Sequence, residues 1–203
     1  MYEEHYKVIA ESYSTNQYNQ IYRSGKVFSS HEIHMLERFT SLLPTKNCNV
    51  LDIGCGDGSL YDIYLANHCS IYGIDICEEQ ILAARSNVPA GIFVTGNFLE
   101  HTFVKKFKGI VCMYALFHFM EEHQKEAIRK MYDILCKGGV ALINIRKETT
   151  VSIKYNIDWC GKPMYWSLRG IERTLYACSE VGFKYQLFED VSNNDYAYAL
   201  LYK

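Results

Sequence analysis

The chain has 203 residues, 49% hydrophobic and 22% charged, and its 21 Lys and Arg against 23 Asp and Glu leave a net charge of −2. That length accommodates one α/β domain on the usual scale of about 100 to 200 residues, and the composition excludes disordered, collagen-like and coiled-coil chains. The near-zero charge also excludes a protein built to coat nucleic acid, which needs a basic excess to displace counterions. In chain order, residues 1–46 carry no strand signal. Tyr6, Ile9, Ala10 and Tyr13 share one helical face, Ser14 to Ser29 is polar and holds Tyr18 and Tyr22, and His31 to Leu43 reads as a second amphipathic helix ended before Pro44. A helical cap is expected there. Met1-Tyr2-Glu3-Glu4-His5 lacks the basic start and apolar run of a secretory signal, and the longest nearly apolar stretch, Gly109 to Met120, is too short to span a bilayer. The eight cysteines, with no CxxC pair and no histidine at zinc-ligand spacing, read as reduced, mostly buried thiols without a metal. These features point to a cytoplasmic protein.

From residue 49 onward, apolar runs alternate with helical patterns. Asn49 to Ile53, Ser70 to Ile74, Gly91 to Thr95, Gly109 to Met113 and Val140 to Ile145 read as buried strands of a parallel sheet. Ser59 to Asn67, Glu78 to Ser86 and Glu121 to Cys136 read as the helices between them, the last stopped by Gly138-Gly139. This alternation predicts an α/β fold with a doubly wound, Rossmann-like sheet. Arg146 to Ser167 reads as a long loop carrying Tyr155, Trp159, Tyr165 and Trp166, and long loops commonly serve function. Ser167 can cap a helix running to about Glu180 and ended by Gly182. Lys184 to Asp190 and Tyr196 to Tyr202 then read as a closing hairpin around Ser192-Asn193-Asn194-Asp195. The expected organisation is one domain over 1–203, with a cap over 1–46 and a core over 47–203 whose substrate loop is 146–167.

The segment Val50-Leu51-Asp52-Ile53-Gly54-Cys55-Gly56-Asp57-Gly58-Ser59 reads as a strand, a glycine-rich turn and a helix start. Such glycines let the backbone turn tightly and approach a ligand above the strand end. The third glycine of a dinucleotide fingerprint is replaced by Ser59, and the carboxylates of Asp52 and Asp57 are unwelcome beside a diphosphate, so the ligand is expected to be cationic or phosphate-free. Asp57 is read equally well as a turn or helix-cap residue. Asp75, ending the second strand, can accept both hydroxyls of a ribose.

With these residues in place the chain resembles a class I S-adenosylmethionine-dependent methyltransferase of the small, general methyltransferase-domain type. The resemblance covers residues 46–203, and the helical cap also fits. Asp52-x-Gly54-x-Gly56-x-Gly58 matches the first motif and Asp75 the ribose-binding acid, while Gly96-Asn97-Phe98 lies where the family has Gly-Asp and a residue meeting the adenine. Phe107 to Met113 matches the fourth strand, Leu135-Cys136-Lys137-Gly138-Gly139 the turn before the fifth, and Ala177 to Phe183 the helix end before the sixth. The resemblance implies a seven-stranded order 3-2-1-4-5-7-6 with strand 7 antiparallel. It further implies S-adenosylmethionine as cofactor, S-adenosylhomocysteine as product, and cofactor contacts at Asp52, Gly54, Cys55, Gly56, Asp75, Ile76, Asn97, Phe98 and Met113. Asn97 departs from the common Asp, although its side-chain oxygen can still accept from an adenine amino group. Cys55 is expected to contribute backbone only.

Methyl transfer from a sulfonium is an in-line displacement that needs its nucleophile held close, aligned and dry. Met113 to Phe119 leaves the fourth strand toward the methyl-donor end, which makes His118 a candidate base or a loop-orienting residue, and Tyr114 a candidate donor or a packing residue. Tyr6 and Tyr13, in a YxxIAxxY-like pattern that approaches the methionine end in similar enzymes, and Tyr18 and Tyr22 are read as an enclosing set; packing on the sheet is the other reading. Trp159, Tyr165 and Trp166 are read as a second wall, with a core role open for Trp166. No Asn/Asp-Pro-Pro-aromatic run follows the fourth strand and no Pro-Cys pair exists, which disfavours DNA-base methylation, and the strand exit offers no carboxylate for Mg²⁺. The expectation is methyl transfer to an O or N atom of a small aromatic or apolar metabolite, with no membrane partner and no strong nucleic-acid signal. The rivals are an RNA or protein methyltransferase and a non-catalytic cofactor-binding subunit. The sequence sets no oligomeric state.

Overall fold

Val50 faces one side of strand β1 (Asn49–Ile53) and Leu51 and Ile53 the other, and all three are buried, so the strand is covered on both faces and only Asp52 breaks its apolar run. The same alternation holds in β4 (Phe107–Cys112), with Ile110 and Cys112 opposite Val111, and in β5 (Leu135–Arg146), with Ile143 opposite Leu142. Joined by β2 (Ser70–Asp75), β3 (Ile92–Thr95), β8 (Lys184–Glu189) and β9 (Tyr196–Tyr202), they form a seven-stranded sheet of order β3-β2-β1-β4-β5-β9-β8. Strands β1 to β5 pair in parallel and β9 runs antiparallel between β5 and β8. This is the expected doubly wound order, with the expected strands 6 and 7 appearing as β8 and β9. The structure, a computed structural model, describes residues 2–15, 18, 28–44, 47–149, 151–189 and 195–203.

Helices cover both faces. On one side α1 (Tyr2–Tyr13), α5 (Glu121–Ile134) and α6 (Gly170–Glu180) bring Ile9, Ile128, Met131, Leu175 and Cys178 onto Leu51, Ile110 and Ile143. On the other, α2 (Ser30–Ser41), α3 (Tyr61–Leu65) and α4 (Glu78–Asn87) bring Met35, Leu36, Phe39, Leu65 and Ile81 onto Val50, Val111 and Leu142. Helix α2 starts on a reciprocal capping box: Glu32 N donates to Ser29 Oγ at 3.1 Å and Ser29 N donates to Glu32 Oε2 at 2.8 Å. The two cap helices thus lie on opposite faces of the sheet. Seven of the eight cysteines are buried, and burial pushes the Cys69 and Cys77 thiols up to about 12, which suppresses the nucleophilic thiolate. No helix among the described residues is long and apolar enough to cross a membrane.

Several local expectations need correction. The segment 146–167 is not a loop: after β5 it folds into an antiparallel hairpin of β6 (Ser152–Trp159) and β7 (Lys162–Leu168), a separate two-stranded sheet. Its turn is Cys160-Gly161, both residues at positive φ (53° and 81°) as a type I′ turn requires. Ser167 caps no helix; it lies in β7 opposite Ile153, and α6 begins at Gly170. The long helix ends at Ile134 rather than Cys136, because Leu135 is fully buried as a strand residue paired with Phe107. The helix after the glycine turn is only Tyr61–Leu65. Except for Asp195, the expected turn over Ser192-Asn193-Asn194-Asp195 lies outside the described residues.

Candidate functional site

The sheet order reverses direction between β1 and β4, where a crevice opens beyond the carboxyl ends of the strands. Residues just past β1 (Gly54 to Gly56), at the end of β2 (Asp75, Ile76), past β3 (Gly96 to Phe98) and past β4 (Met113 to Ala115) line one cleft of about 980 Å³ out to its open mouth. Gly54, Gly56 and Gly58 all have positive φ (70°, 56° and 67°), and Gly54 N donates to Ile74 O at 2.8 Å, folding the turn back over β2. The turn presents Gly56 N to Asp75 Oδ2 at 2.9 Å, while Cys77 N donates to Asp75 Oδ1 at 2.9 Å. These two bonds orient the Asp75 carboxylate in the lining of the cleft. Asp57 serves its own turn, accepting from Ser59 N (3.0 Å) and Ser59 Oγ (2.7 Å), which favours the turn reading over ligand contact.

The cap closes the cleft from the other side. Helix α1 is pinned by Ser12 Oγ donating to Pro163 O of β7 at 2.6 Å, by Tyr6 Oη on His123 Nδ1 at 2.7 Å and by His5 Nε2 donating to His118 O at 2.9 Å. Gln80 Nε2 at the start of α4 donates to Tyr13 O at 2.8 Å. Tyr13 Oη lies 2.7 Å from His118 Nε2, and His118 Nδ1 lies 3.4 Å from Tyr165 O. A carbonyl only accepts, so Nδ1 carries the proton and Nε2 accepts from the Tyr13 hydroxyl. Burial pulls the His118 imidazole down to about 4, aided by His5 and opposed by the Tyr165 carbonyl, so it is neutral at pH 7. Tyr13, Tyr18, Tyr114 and His118 line this cleft and also a second, adjoining cavity.

Beneath the junction sits a buried carboxylate. Glu32 Oε1 accepts from Tyr61 Oη and from Tyr114 Oη, the latter at 3.0 Å, so one cap residue ties α3 to the exit of β4. Burial works against its ionisation, yet the hydrogen bonds from Tyr61 and Ser29 hold its carboxyl below the ordinary value. Burial and the Glu32 charge push the Tyr114 phenol far up, so it stays a neutral donor. Tyr114 is itself at φ 59°, held there with its N–H donating to Asn144 Oδ1 at 2.7 Å. Replacing Glu32 by Ala is expected to destabilise the fold by about 3 kcal/mol, because two buried phenols and a capping box lose their acceptor. Urea unfolding measures this, with Glu32→Gln recovering part of the loss.

Residues 50–139 match the family model described as a methyltransferase domain. Over 92 residues the chain is 35% identical to an uncharacterised methyltransferase of Bacillus cytotoxicus, covering 45% of this chain and 43% of that relative. It therefore spans less than half the length of the curated relatives it matches. The fold is shared with DhpI in complex with S-adenosylhomocysteine (TM-score 0.79, 14% identity, 99% of this chain and 98% of that one). It is shared too with an S-adenosylmethionine-bound amino pentose methyltransferase of Micromonospora echinaspora (TM-score 0.72, 15% identity, 92% and 96%). The N-methyltransferase NodS of Bradyrhizobium japonicum, bound to S-adenosylhomocysteine, aligns at TM-score 0.70 with 18% identity over 97% of both chains. Over residues 50–139 the chain is similar to the methyltransferase-domain family, and its fold is the one these S-adenosylmethionine-dependent methyltransferases share.

The sequence-derived positions Gly54, Cys55, Gly56, Asp75, Ile76, Asn97, Phe98 and Met113 all line the first cleft, as do Tyr6, Tyr13 and Tyr18. Asp52 is buried in β1 and is not among the lining residues. The Tyr6 hydroxyl is turned onto His123, and Asn97 Oδ1 accepts from Leu99 N at 3.0 Å. Trp159 and Trp166 line the second cavity, whereas Tyr165 stacks on Tyr155 with ring centroids 4.5 Å apart and lines neither. Tyr22 lies outside the described residues. Glu32, Tyr61, Gln80, Arg146 and Tyr196 went unread in the sequence: Tyr61 and Gln80 lie close to motif residues but carry no motif of their own, and the other three meet the site from segments with no local pattern to mark them. The residues present fit S-adenosylmethionine. Asp75 is the one acidic lining residue among those described, Ile76 and Phe98 offer apolar faces, and a Cβ added at Gly96 would meet nothing within 4 Å, leaving room at the cleft wall.

Proposed function

We propose that this chain transfers a methyl group from S-adenosylmethionine to an oxygen or nitrogen atom of a small aromatic or apolar molecule. The observation that carries the reading is the convergence of the loops after β1, β2, β3 and β4 on one cleft containing Asp75, joined at Tyr13, Tyr114 and His118 to an aromatic-walled second cavity. Asp75 would hold the ribose hydroxyls, Ile76 and Phe98 would flank the adenine, and the backbone of Gly54 to Gly56 would lie under the amino-acid end. When bound, the cofactor supplies an electrophilic sulfonium methyl with a neutral thioether as its leaving group. The chain's own work is placement and exclusion of water. Helix α1 roofs the cleft, and the Tyr13–His118 pair stands where the two cavities meet. There the Tyr13 oxygen accepts the acceptor's proton while its own proton passes to His118 Nε2.

At S-adenosylhomocysteine a hundredfold above its Kd, the expected stabilisation is about 2.7 kcal/mol, a rise in Tm on the order of 5 to 10 °C. Asp75→Ala should remove most of that shift in a thermal melt. Stabilisation by NAD without stabilisation by S-adenosylhomocysteine would overturn the reading. Incubation with methyl-labelled S-adenosylmethionine and a fractionated cell extract tests the acceptor class, with label expected in small molecules rather than RNA or protein.

A further inference from the structure

We infer that the second cavity takes a planar aromatic acceptor carrying an anionic group such as a carboxylate. This rests on the methyltransferase reading above and names its acceptor class. Trp159, Trp166, Phe117 and Tyr196 wall the cavity, and the two indoles meet edge to face with centroids 6.1 Å apart and planes at 86°, framing an apolar slot that suits a flat ring. Two cations, Arg146 and Lys154, also line it, and no carboxylate does among the described residues. The first cleft carries the opposite sign, its charged lining being Asp75. Neighbouring sites of opposite sign suit a cationic methyl donor beside an anionic acceptor.

Arg146 is built to present its charge there. Its guanidinium carbon lies 5.0 Å from the Tyr196 ring centroid, and the guanidinium also donates a hydrogen bond to the Tyr196 side chain, which ties the group to the cavity wall. Its carboxylate contacts are long, 3.5 Å to Glu148 and 3.7 Å to Asp195, and Glu148 is shared with Lys154 at 2.8 Å. With five N–H donors in a fixed fork, Arg146 retains donors for a ligand carboxylate beyond these contacts. Arg146 and Lys154 line the second cavity alone, whereas Tyr13, Tyr114 and His118 line both. An acceptor held by its anion at the cationic end therefore directs its opposite end to the junction where methyl transfer takes place. The hairpin β6–β7, absent from the sequence reading, supplies Lys154 and both tryptophans.

The chain's only two tryptophans are Trp159 and Trp166, so intrinsic fluorescence reports on this cavity. With the full chain saturated by S-adenosylhomocysteine, titration with 4-hydroxybenzoate should quench that emission at a concentration about tenfold lower than 4-hydroxybenzamide requires. Arg146→Gln and Lys154→Gln should each shrink the preference and the double variant should erase it, with benzamide binding retained. Lys154→Gln, on an exposed strand position, keeps the test decisive if Arg146→Gln does not fold. Equal binding of acid and amide, quenching by neither at millimolar concentration, a preference undiminished in Lys154→Gln, or one that survives in the double variant would overturn the inference. Loss of the S-adenosylhomocysteine melting shift in the unmodified chain would instead overturn the cofactor reading.

Discussion

Gly54→Ala is expected to abolish measurable S-adenosylhomocysteine binding and to cost about 2 to 5 kcal/mol of stability, the sum of left-handed backbone strain and overpacking. Gly54 sits at φ 70°, and a Cβ there would lie 2.5 Å from Ala115 Cβ. Ala115 cannot rotate that atom away, since its Cβ is fixed to the backbone. The turn cannot retreat either, because Gly54 N and Cys55 N both donate to Ile74 O, at 2.8 and 3.2 Å. Relief must come from moving the β1 turn or the β4 exit, and both line the cleft. Gly58→Ala is the comparison: φ is 67°, but the nearest atoms to its Cβ are at 3.5 Å. That variant should lose only the strain term, about 1 to 2 kcal/mol. Calorimetric titration and urea unfolding of the two variants decide the matter. Equal losses in both would show that crowding against Ala115 plays no part.

The elements that were legible in the sequence are those whose signal is local. Val50 to Ile53 and Ile110 to Cys112 are buried on both faces, and such strands appear as nearly apolar runs, Asp52 being the one polar residue in these two. The glycine turn was legible because its three left-handed positions all fall on glycine. The hairpin β6–β7 was not, although Ile153, Tyr155 and Ile157 alternate with Lys154, Asn156 and Asp158 at the strand period. Its turn uses Cys160 at a left-handed position where Asn or Asp is the usual signal, and its outward face leaves Ile153 and Ile157 exposed at 71% and 75%, so no burial pattern marks it. The site divides the same way. Asp75 ends a strand and could be read from spacing and Asn97 through the family resemblance, whereas Glu32 meets Tyr114 across 82 residues and Tyr13 meets His118 across 105. Asp52, a motif position read as a contact, is buried within its strand.

Tyr13→Phe and His118→Ala are each expected to slow transfer to a hydroxyl acceptor by about 10² to 10⁴, the usual range for general base catalysis, and to combine with little further loss because they act as one unit. The imidazole is a weak sink at rest: loading it with a proton at pH 7 from a pKa of about 4 costs about 4 kcal/mol. Early deprotonation of the acceptor is therefore disfavoured. An oxygen that has begun to bond the incoming methyl is far more acidic than imidazolium, so on the proposed path the proton would move late, from that oxygen to Tyr13 Oη and from Tyr13 to His118 Nε2. A neutral amine acceptor attacks without losing its proton first, and its rate should fall much less in both variants. The same depressed pKa fixes the pH response. Because the unfolded chain binds the His118 proton near pH 6.5 and the folded chain only near 4, stability from this residue is complete above 6.5. It falls as pH drops through that window by about 3 kcal/mol and levels off below it. The acid limb of the rate profile for a hydroxyl acceptor should accordingly lie near pH 4 and vanish in His118→Ala. A limb near 6.5, or additive losses in the Tyr13→Phe/His118→Ala double variant, would remove the pair from the proton path.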